Sequence, residues 1–157
     1  MGLSEAEQAR LAGLERWEEL SGYAVIKGTR PQTLAYALAD SPVGQLGWYA
    51  DWFAAHGDKV GVLDRDAILT NVMLYWLTGT AGSAARLYKE MADAWEPAER
   101  SPVPIGVAVF PGDPSVRRFV EHDVVHWSEF DRGGHFAAME TPDLLVDDIR
   151  KFFRRFR

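Results

Sequence analysis

A histidine and an aspartate in the C-terminal third of the chain have the types and setting needed to activate water. His135 directly follows Gly133 and Gly134 in the stretch EFDRGGHFAAMETP, on a turn whose shape glycine allows. Histidine gains or loses a proton near neutral pH and can serve as a general base. Asp113, in PGDPS, could accept the Nδ1 proton and leave Nε2 free to take a proton from water or from a nucleophile. We interpret Asp113 and His135 as an acid–base pair.

Each member of this pair follows a predicted strand. IGVAVFPGD is a short, valine-rich apolar run, typical of a strand buried on both faces of a parallel sheet, and VVHWSEF predicts a second strand. A short helix in PSVRRFVEHD would connect them, and this order implies a right-handed parallel crossover. Chemistry in open parallel sheets gathers beyond the carboxyl ends of the strands. We therefore expect both side chains at the same edge of the sheet.

Other acids and histidines fit these roles less well. Glu129 and Asp131 are closer to His135 in sequence and remain minor alternatives for the acid. The remaining histidines are expected at a helix end, on a short polar helix and within a strand: His56, His122 and His126. None of them is spaced with other ligand types as a metal site requires, so we expect no metal, and nothing in the sequence calls for a cofactor.

The first 98 residues predict a succession of helices. Ser4 and Glu7 match a capping box, which predicts a helix from about residue 5 to residue 20. Further starts and breaks are marked by proline after a capping residue and by glycine: Pro31, Pro42, Gly79 and Gly82. Trp48 and Trp52 lie one helical turn apart, and Trp76 is on the next helix. These tryptophans could form a helical core or the wall of an apolar pocket.

The chain ends in a predicted amphipathic helix. Thr141 is its expected cap and Pro142 its first residue. Its expected buried stripe consists of Leu145, Ile149, Phe152 and Phe156. The basic residues near its C-terminus suit the negative end of the helix dipole, which explains this cluster without a ligand.

Composition and charge narrow the possible functions. The 157 residues, 47% of them hydrophobic, suffice for one domain with a sizeable core. Seventeen basic residues against 23 acidic ones, a net charge of -6, count against a nucleic-acid or anionic-membrane surface. The absence of cysteine excludes disulfides, a thiolate nucleophile and a cysteine zinc site. With no signal-peptide pattern and no apolar run of membrane-spanning length, we expect a cytoplasmic protein.

Several long strings resemble one enzyme family. IGVAVFPGDPSVRRF followed by VHWSEFDRGGHFAAMETPDLLVDDIRKFF is similar to the C-terminal end of α/β-hydrolase-fold epoxide hydrolases of the microsomal type and their bacterial homologues. GYAVIKGTRPQTLAYALADSPVGQLGWYADWF and LTNVMLYWLTGTAGSAARLYKEM resemble the helical lid of that group. The resemblance implies a C-terminal portion of an α/β-hydrolase fold, with residues 1–98 as the lid and residues 99–157 as the end of the core.

The same resemblance implies a two-step hydrolysis of an apolar epoxide to a vicinal diol. In the family an aspartate opens the epoxide to form an alkyl-enzyme ester, and a histidine paired with a carboxylate activates the water that cleaves it. By position in the motifs, His135 would be this base and Asp113 its orienting acid. Two lid tyrosines hydrogen-bond the epoxide oxygen, and these match Tyr23 and Tyr88. Without the resemblance, the sequence would not favour them over the other tyrosines: Tyr36, Tyr49 and Tyr75.

The chain departs from the family pattern in lacking the segment that carries the nucleophile. Neither a nucleophile elbow nor an oxyanion-hole loop occurs in the sequence. Two strands alone would leave a sheet edge unpaired and an apolar face uncovered, so we expect a partner chain that supplies the N-terminal half, or a homo-oligomer, and no turnover by the chain alone. The alternatives are a non-catalytic helical binding module and another α/β-hydrolase reaction, such as ester or haloalkane cleavage.

Overall fold

The computed structural model describes residues 2–56, 63–91, 101–120 and 124–157. The chain divides into two units: one of Met1–Trp17, His56–Val62 and Glu99–Arg157, the other of Glu18–Ala55 and Leu63–Ala98. In the described ranges the α-helices are α1 Glu5–Leu20, α2 Gly22–Thr29, α3 Pro31–Asp40, α4 Pro42–His56, α5 Arg65–Thr78, α6 Ala81–Glu90, α7 Ala137–Glu140 and α8 Pro142–Phe153. The strands are β1 Ile105–Val109 and β2 Val124–Glu129.

The first helix begins with the predicted capping box. The Ser4 backbone N–H donates to Glu7 Oε2 at 2.7 Å, and the Glu7 N–H donates to Ser4 Oγ at 3.3 Å. Helix α1 then runs from Glu5 to Leu20, as predicted. Glu7 also pairs with Arg118 at 2.7 Å, which fastens the start of α1 to the segment that follows β1.

Helices α2 to α6 belong to the second unit, and most of their starts agree with the sequence. Helices α3 and α4 begin at the two predicted prolines, and Ser41 Oγ accepts a hydrogen bond from the Gly44 N–H at 3.0 Å, as a cap does. Helix α2 was not predicted as a separate element. Its N-cap residue, Ser21, makes no side-chain capping hydrogen bond, so the usual interaction at the start of a helix is absent.

The two glycines expected to break the chain near residue 80 have different roles. Gly79 ends α5, as predicted, and it does so in the left-handed conformation with φ of 64°. The predicted break at Gly82 is wrong, because Gly82 lies inside α6. A Cβ atom at Gly82 would lie 3.1 Å from the Cβ of Ala35, so this glycine allows α6 to pack closely against α3.

The predicted parallel pair of strands is confirmed. β1 and β2 pair in parallel, with Val107 opposite Trp127. The predicted connecting helix is wrong over the described residues, which form only a 3₁₀ turn, Arg117–Phe119; His122 lies outside them. Burial of β1 on both faces is also wrong, since Val109 is buried and the rest of the strand is partly accessible. The described layers, which place the Phe152 ring of α8 against Gly106, do not enclose the strand completely.

Helix α8 begins as predicted, but only part of the predicted stripe is half-buried, at Leu145 and Phe152. Thr141 precedes Pro142, yet its hydroxyl donates to Ala137 O at 3.4 Å and makes no capping bond. Of the predicted stripe, Ile149 is 45% exposed and Phe156 is 51% exposed, so their predicted burial is wrong for this chain. A carboxylate, that of Asp148, is buried on this helix.

A buried polar network holds α8 against β2. His126 Nε2 lies 2.8 Å from Asp148 Oδ1, and the Ser128 hydroxyl donates to the same oxygen at 2.5 Å. Phe152 packs on the His126 ring, with centroids 5.9 Å apart. Because the His126 and Asp148 side chains are only 9% and 8% exposed, each supplies hydrogen bonds that water cannot replace.

Replacing Asp148 with alanine should therefore destabilise the protein. The change removes the acceptor that the nearly buried His126 and the half-buried Ser128 share. We expect the free energy of unfolding in urea to fall by about 2 kcal/mol. Asp147→Ala is the matched control, because Asp147 is an exposed neighbour that pairs with Lys151 on the surface. Equal losses in the two variants would contradict the structural role of Asp148.

Candidate active site

The loops that carry Asp113 and His135 leave the sheet from the same edge. Phe110 follows β1 and Phe130 follows β2, and their rings stack with centroids 4.8 Å apart and planes 19° apart. The Phe130 N–H continues the strand pairing by donating to Val109 O at 2.9 Å. The expected placement of both loops at the carboxyl ends of paired strands is thus present.

The loop of Asp113 is a tight turn closed by its own hydrogen bonds. Gly112 has φ of 87°, which favours glycine. The Asp113 N–H donates to Phe110 O at 3.1 Å, and Asp113 Oδ1 accepts from the Ser115 N–H at 2.7 Å. Asp113 is half-buried, and this turn fixes the backbone from which its carboxylate projects.

The loop of His135 is shaped by Gly133, as the sequence suggested. Gly133 has φ of 90°, and a Cβ atom there would lie 2.6 Å from Thr141 Oγ1 and 3.1 Å from the Phe110 ring. The loop therefore packs directly on the residue that follows β1. His135 is exposed and meets Phe136 edge-to-face at 5.0 Å. Its pairing with the Asp113 side chain stays a prediction.

An arginine that was not predicted from the sequence connects the loop of Asp113 to β2. Arg10 of α1 donates to Ser115 O at 3.3 Å and to both carboxylate oxygens of Glu129, at 3.2 and 2.5 Å. The hydrogen bond from Arg10, followed by that from Trp127, lowers the pKa of Glu129. The Glu129 carboxylate is thus engaged in an ion pair, which counts against it as the acid, and Asp131 is exposed. Arg10 could not be predicted from the sequence, because Glu129 lies 119 positions further along the chain.

The second unit brings Tyr23 and Tyr88 into contact. Their ring centroids are 5.9 Å apart in an edge-to-face arrangement, and Trp52 packs on Tyr23 in the same way at 5.3 Å. Burial, the nearby Tyr23 and a hydrogen bond with it together raise the pKa of Tyr88 to about 12. Two tyrosines selected from distant motifs therefore form one pair.

A lysine lies among the same aromatic rings. Lys27 Nζ is 4.8 Å from the ring centre of Tyr88, 5.4 Å from that of Tyr23, and 5.8 and 5.9 Å from those of Trp52 and Trp48. Burial lowers the pKa of Lys27. The sequence analysis missed Lys27, although its position one helical turn after Tyr23 was a usable signal.

Two of the three predicted pocket tryptophans lie near the tyrosine pair. Trp48 and Trp52 surround Lys27 together with the tyrosine pair. Trp76 is half-buried on α5, and its place in a pocket wall stays a prediction. In the part of the chain that the structure describes, no three histidine or acidic residues cluster as metal ligands, and no helix has the length and hydropathy to cross a membrane.

Known proteins similar to this chain are epoxide hydrolases. The chain is 42% identical, over 99% of its length, to a proposed epoxide hydrolase of Stigmatella aurantiaca, and 40% identical, over 84%, to epoxide hydrolase 1 of Sus scrofa. The Aspergillus niger epoxide hydrolase structure superposes on 98% of the chain with a TM-score of 0.86 and 32% identity. The chain is related to the epoxide hydrolases. The predicted fold class, a portion of the α/β-hydrolase fold, is confirmed by this likeness.

The match covers a part of each epoxide hydrolase. The chain spans 38% of the Stigmatella protein, 34% of the Sus scrofa enzyme and 40% of the Aspergillus niger chain. No family model matches the chain.

The Tyr23–Tyr88 contact predicts a dependence of stability on alkaline pH. Between pH 10 and about 12 the unfolded chain has lost the Tyr88 proton that the folded protein still holds, so stability should fall as pH rises. Tyr88→Phe removes this contribution, and its unfolding free energy, measured in urea at several pH values, should decline less steeply. Tyr36→Phe, at a tyrosine that is 69% exposed, is the control and should keep the wild-type slope.

Proposed function

We propose that this chain supplies the lid and the water-activating base of an epoxide hydrolase that converts apolar epoxides into vicinal diols. The observation that carries the proposal is the contact between Tyr23 and Tyr88, two phenols that could share one epoxide oxygen. The relationship to epoxide hydrolases and the glycine-shaped loop of His135 support it.

In the first step, a carboxylate attacks one epoxide carbon, and the bond from that carbon to the ring oxygen breaks. The electron pair moves to the oxygen, where Tyr23 and Tyr88 donate hydrogen bonds and one of them supplies the proton. With a raised pKa, Tyr88 keeps its proton at neutral pH and so remains a donor. Half-buried tryptophans beside the pair suit an apolar substituent on the epoxide.

In the second step, His135 takes a proton from water, and the resulting hydroxide attacks the ester carbonyl carbon. The ester bond breaks, the new carboxyl group gives its proton to the leaving alkoxide oxygen, and the carboxylate is regenerated as the diol leaves. The proton on His135 then returns through solvent to the tyrosine that supplied one in the first step. Asp113 orients the imidazole and stabilises its protonated form. The tight turns at Gly112 and Gly133 restrict both loops, which favours a fixed geometry for such a pair.

The proposal places the nucleophilic carboxylate outside this chain. Its sequence contains no glycine-aspartate-tryptophan elbow, no glycine-x-serine-x-glycine elbow and no histidine-glycine-x-proline loop. A partner segment equivalent to the rest of the related enzymes would supply these elements and the neighbouring strands of the sheet. The chain by itself is then expected to bind substrate without turnover.

One other candidate has a specific observation in its favour. Aromatic rings gathered around Lys27 suit an apolar ligand, and a non-catalytic binding module would use them without His135. Ester or haloalkane cleavage gives no particular role to paired phenols, because neither reaction needs to protonate a ring oxygen. The tyrosine pair therefore favours epoxide opening.

Reconstitution tests the proposal. Mixing the chain with the N-terminal part of the Stigmatella relative should yield diol from styrene oxide, whereas the chain alone should yield none. His135→Gln should slow diol formation about 100-fold or more, the usual contribution of a general base. Because ester formation does not need His135, the alkyl-enzyme ester should accumulate in this variant and appear as added mass on the partner segment.

Matched variants separate the remaining roles. Asp113→Asn should reduce the second step, while Asp131→Asn, at an exposed aspartate near His135, should leave it unchanged. Tyr23→Phe combined with Tyr88→Phe should slow ester formation instead. Unchanged diol formation in His135→Gln would contradict the assigned base, and diol from the chain alone would contradict the placement of the nucleophile.

A further inference from the structure

Lys27 lies inside a cage of four aromatic rings. We use the term ring cage for the side chains of Tyr23, Trp48, Trp52 and Tyr88, whose ring centres all lie between 4.8 and 5.9 Å from Lys27 Nζ. The five residues come from α2, α4 and α6 of the same unit. An ammonium held over several ring faces is attracted to them, so its position is constrained.

Lys27 has no carboxylate partner within the residues that the structure describes. The ion pairs among the described residues join other side chains, and no acidic oxygen of these residues lies within 4.0 Å of Lys27 Nζ. Burial of a charge costs free energy that the rings offset only in part, and this cost lowers the pKa of Lys27. An anionic group brought to the Nζ would compensate the charge more fully.

The ring cage remains accessible to a ligand. Lys27 and each of the four aromatic side chains are half-buried, so each keeps part of its surface in contact with solvent. Together these side chains combine aromatic rings with one cation. Such a surface suits an apolar molecule that carries an anionic group.

The cation is also close to the phenols that would hold the epoxide. Lys27 follows Tyr23 by one turn of α2 and lies nearest to the ring of Tyr88. If both hydroxyls bound the oxirane oxygen of a substrate, a substituent a few bonds from that oxygen would lie beside the Lys27 ammonium.

We propose that the ring cage selects apolar epoxides that carry a carboxylate a few bonds from the oxirane ring, with the carboxylate paired to the Lys27 ammonium. As an assignment of substrate class, this inference rests on the proposed function. 3-Phenylglycidate is a simple member of the class, and 3-phenylglycidamide is its uncharged counterpart of the same shape.

Binding to the chain alone provides the test. Cinnamate and cinnamamide, which lack the epoxide oxygen and do not alkylate the protein, are compared by isothermal titration calorimetry at neutral pH. A hydrogen-bonded charge pair should make cinnamate bind about tenfold more tightly than cinnamamide. Raised salt should reduce this preference, because exposed parts of the pair are screened.

Three variants identify the cation responsible. Lys27→Met should remove the preference for cinnamate while cinnamamide still binds, and Lys27→Arg should retain the preference because the charge remains. Lys89→Met is the matched control: it removes one charge from an exposed lysine of the same unit, next to Tyr88 in sequence, and should keep the preference.

The outcomes separate this inference from the proposed reaction. Equal affinity for the two probes, no measurable binding of cinnamate, or a preference that survives in Lys27→Met would overturn it. A preference that depends on Lys27, together with no diol from any reconstituted mixture, would uphold the binding site and contradict the reaction. In an active mixture, the ratio of kcat/KM for 3-phenylglycidate over the amide should fall about tenfold in Lys27→Met.

Discussion

Parallel pairing between β1 and β2 is the constraint on which the unit that contains Asp113 and His135 depends. Parallel strands end at the same edge, so this pairing sends the loop of Asp113 and the loop of His135 away from the sheet side by side. The stacked rings of Phe110 and Phe130 hold together the residues that directly follow the two strands. Gly133 is required because its backbone passes so close to Phe110 and Thr141 that a larger residue would not fit.

Polar contacts over long sequence distances stabilise this edge of the unit. Arg10 connects α1 to the loop of Asp113 and to the end of β2, where Glu129 is its bidentate partner. On the other side of the strand, Asp148 accepts from Ser128 and contacts His126, which fixes α8. Both contacts act on β2, the strand that leads into the His135 loop, so its position is determined by several independent interactions.

In the second unit, partial removal of polar groups from water is the main influence on Tyr88 and Lys27. Tyr88 is partly removed from water beside Tyr23, and the ring of Tyr88 also lies next to the Lys27 ammonium. Burial keeps the phenol protonated and lowers the pKa of the ammonium, so both groups differ from their counterparts in water. A hydrogen-bond donor and a cation in such surroundings interact more strongly with a developing or bound anion.

The sequence by itself determined what local signals encode. The capping box at Ser4, the proline starts of α3 and α4, the left-handed end of α5 at Gly79 and the two strands all follow from interactions within a few residues. Position after the two predicted strands also singled out Asp113 and His135 as candidates, whereas Tyr23 and Tyr88 became candidates only through the resemblance to a known family.

Only the tertiary structure decided how distant residues are used. Gly82 lies within a helix, where its lack of a side chain lets Ala35 of another helix approach closely. Lys27 becomes a caged cation because residues of three helices bring rings to it. Arg10 pairs with a carboxylate that lies far along the chain, so no local pattern encodes the contact. These roles depend on which surfaces meet after folding, whereas a sequence pattern reports only neighbours along one element.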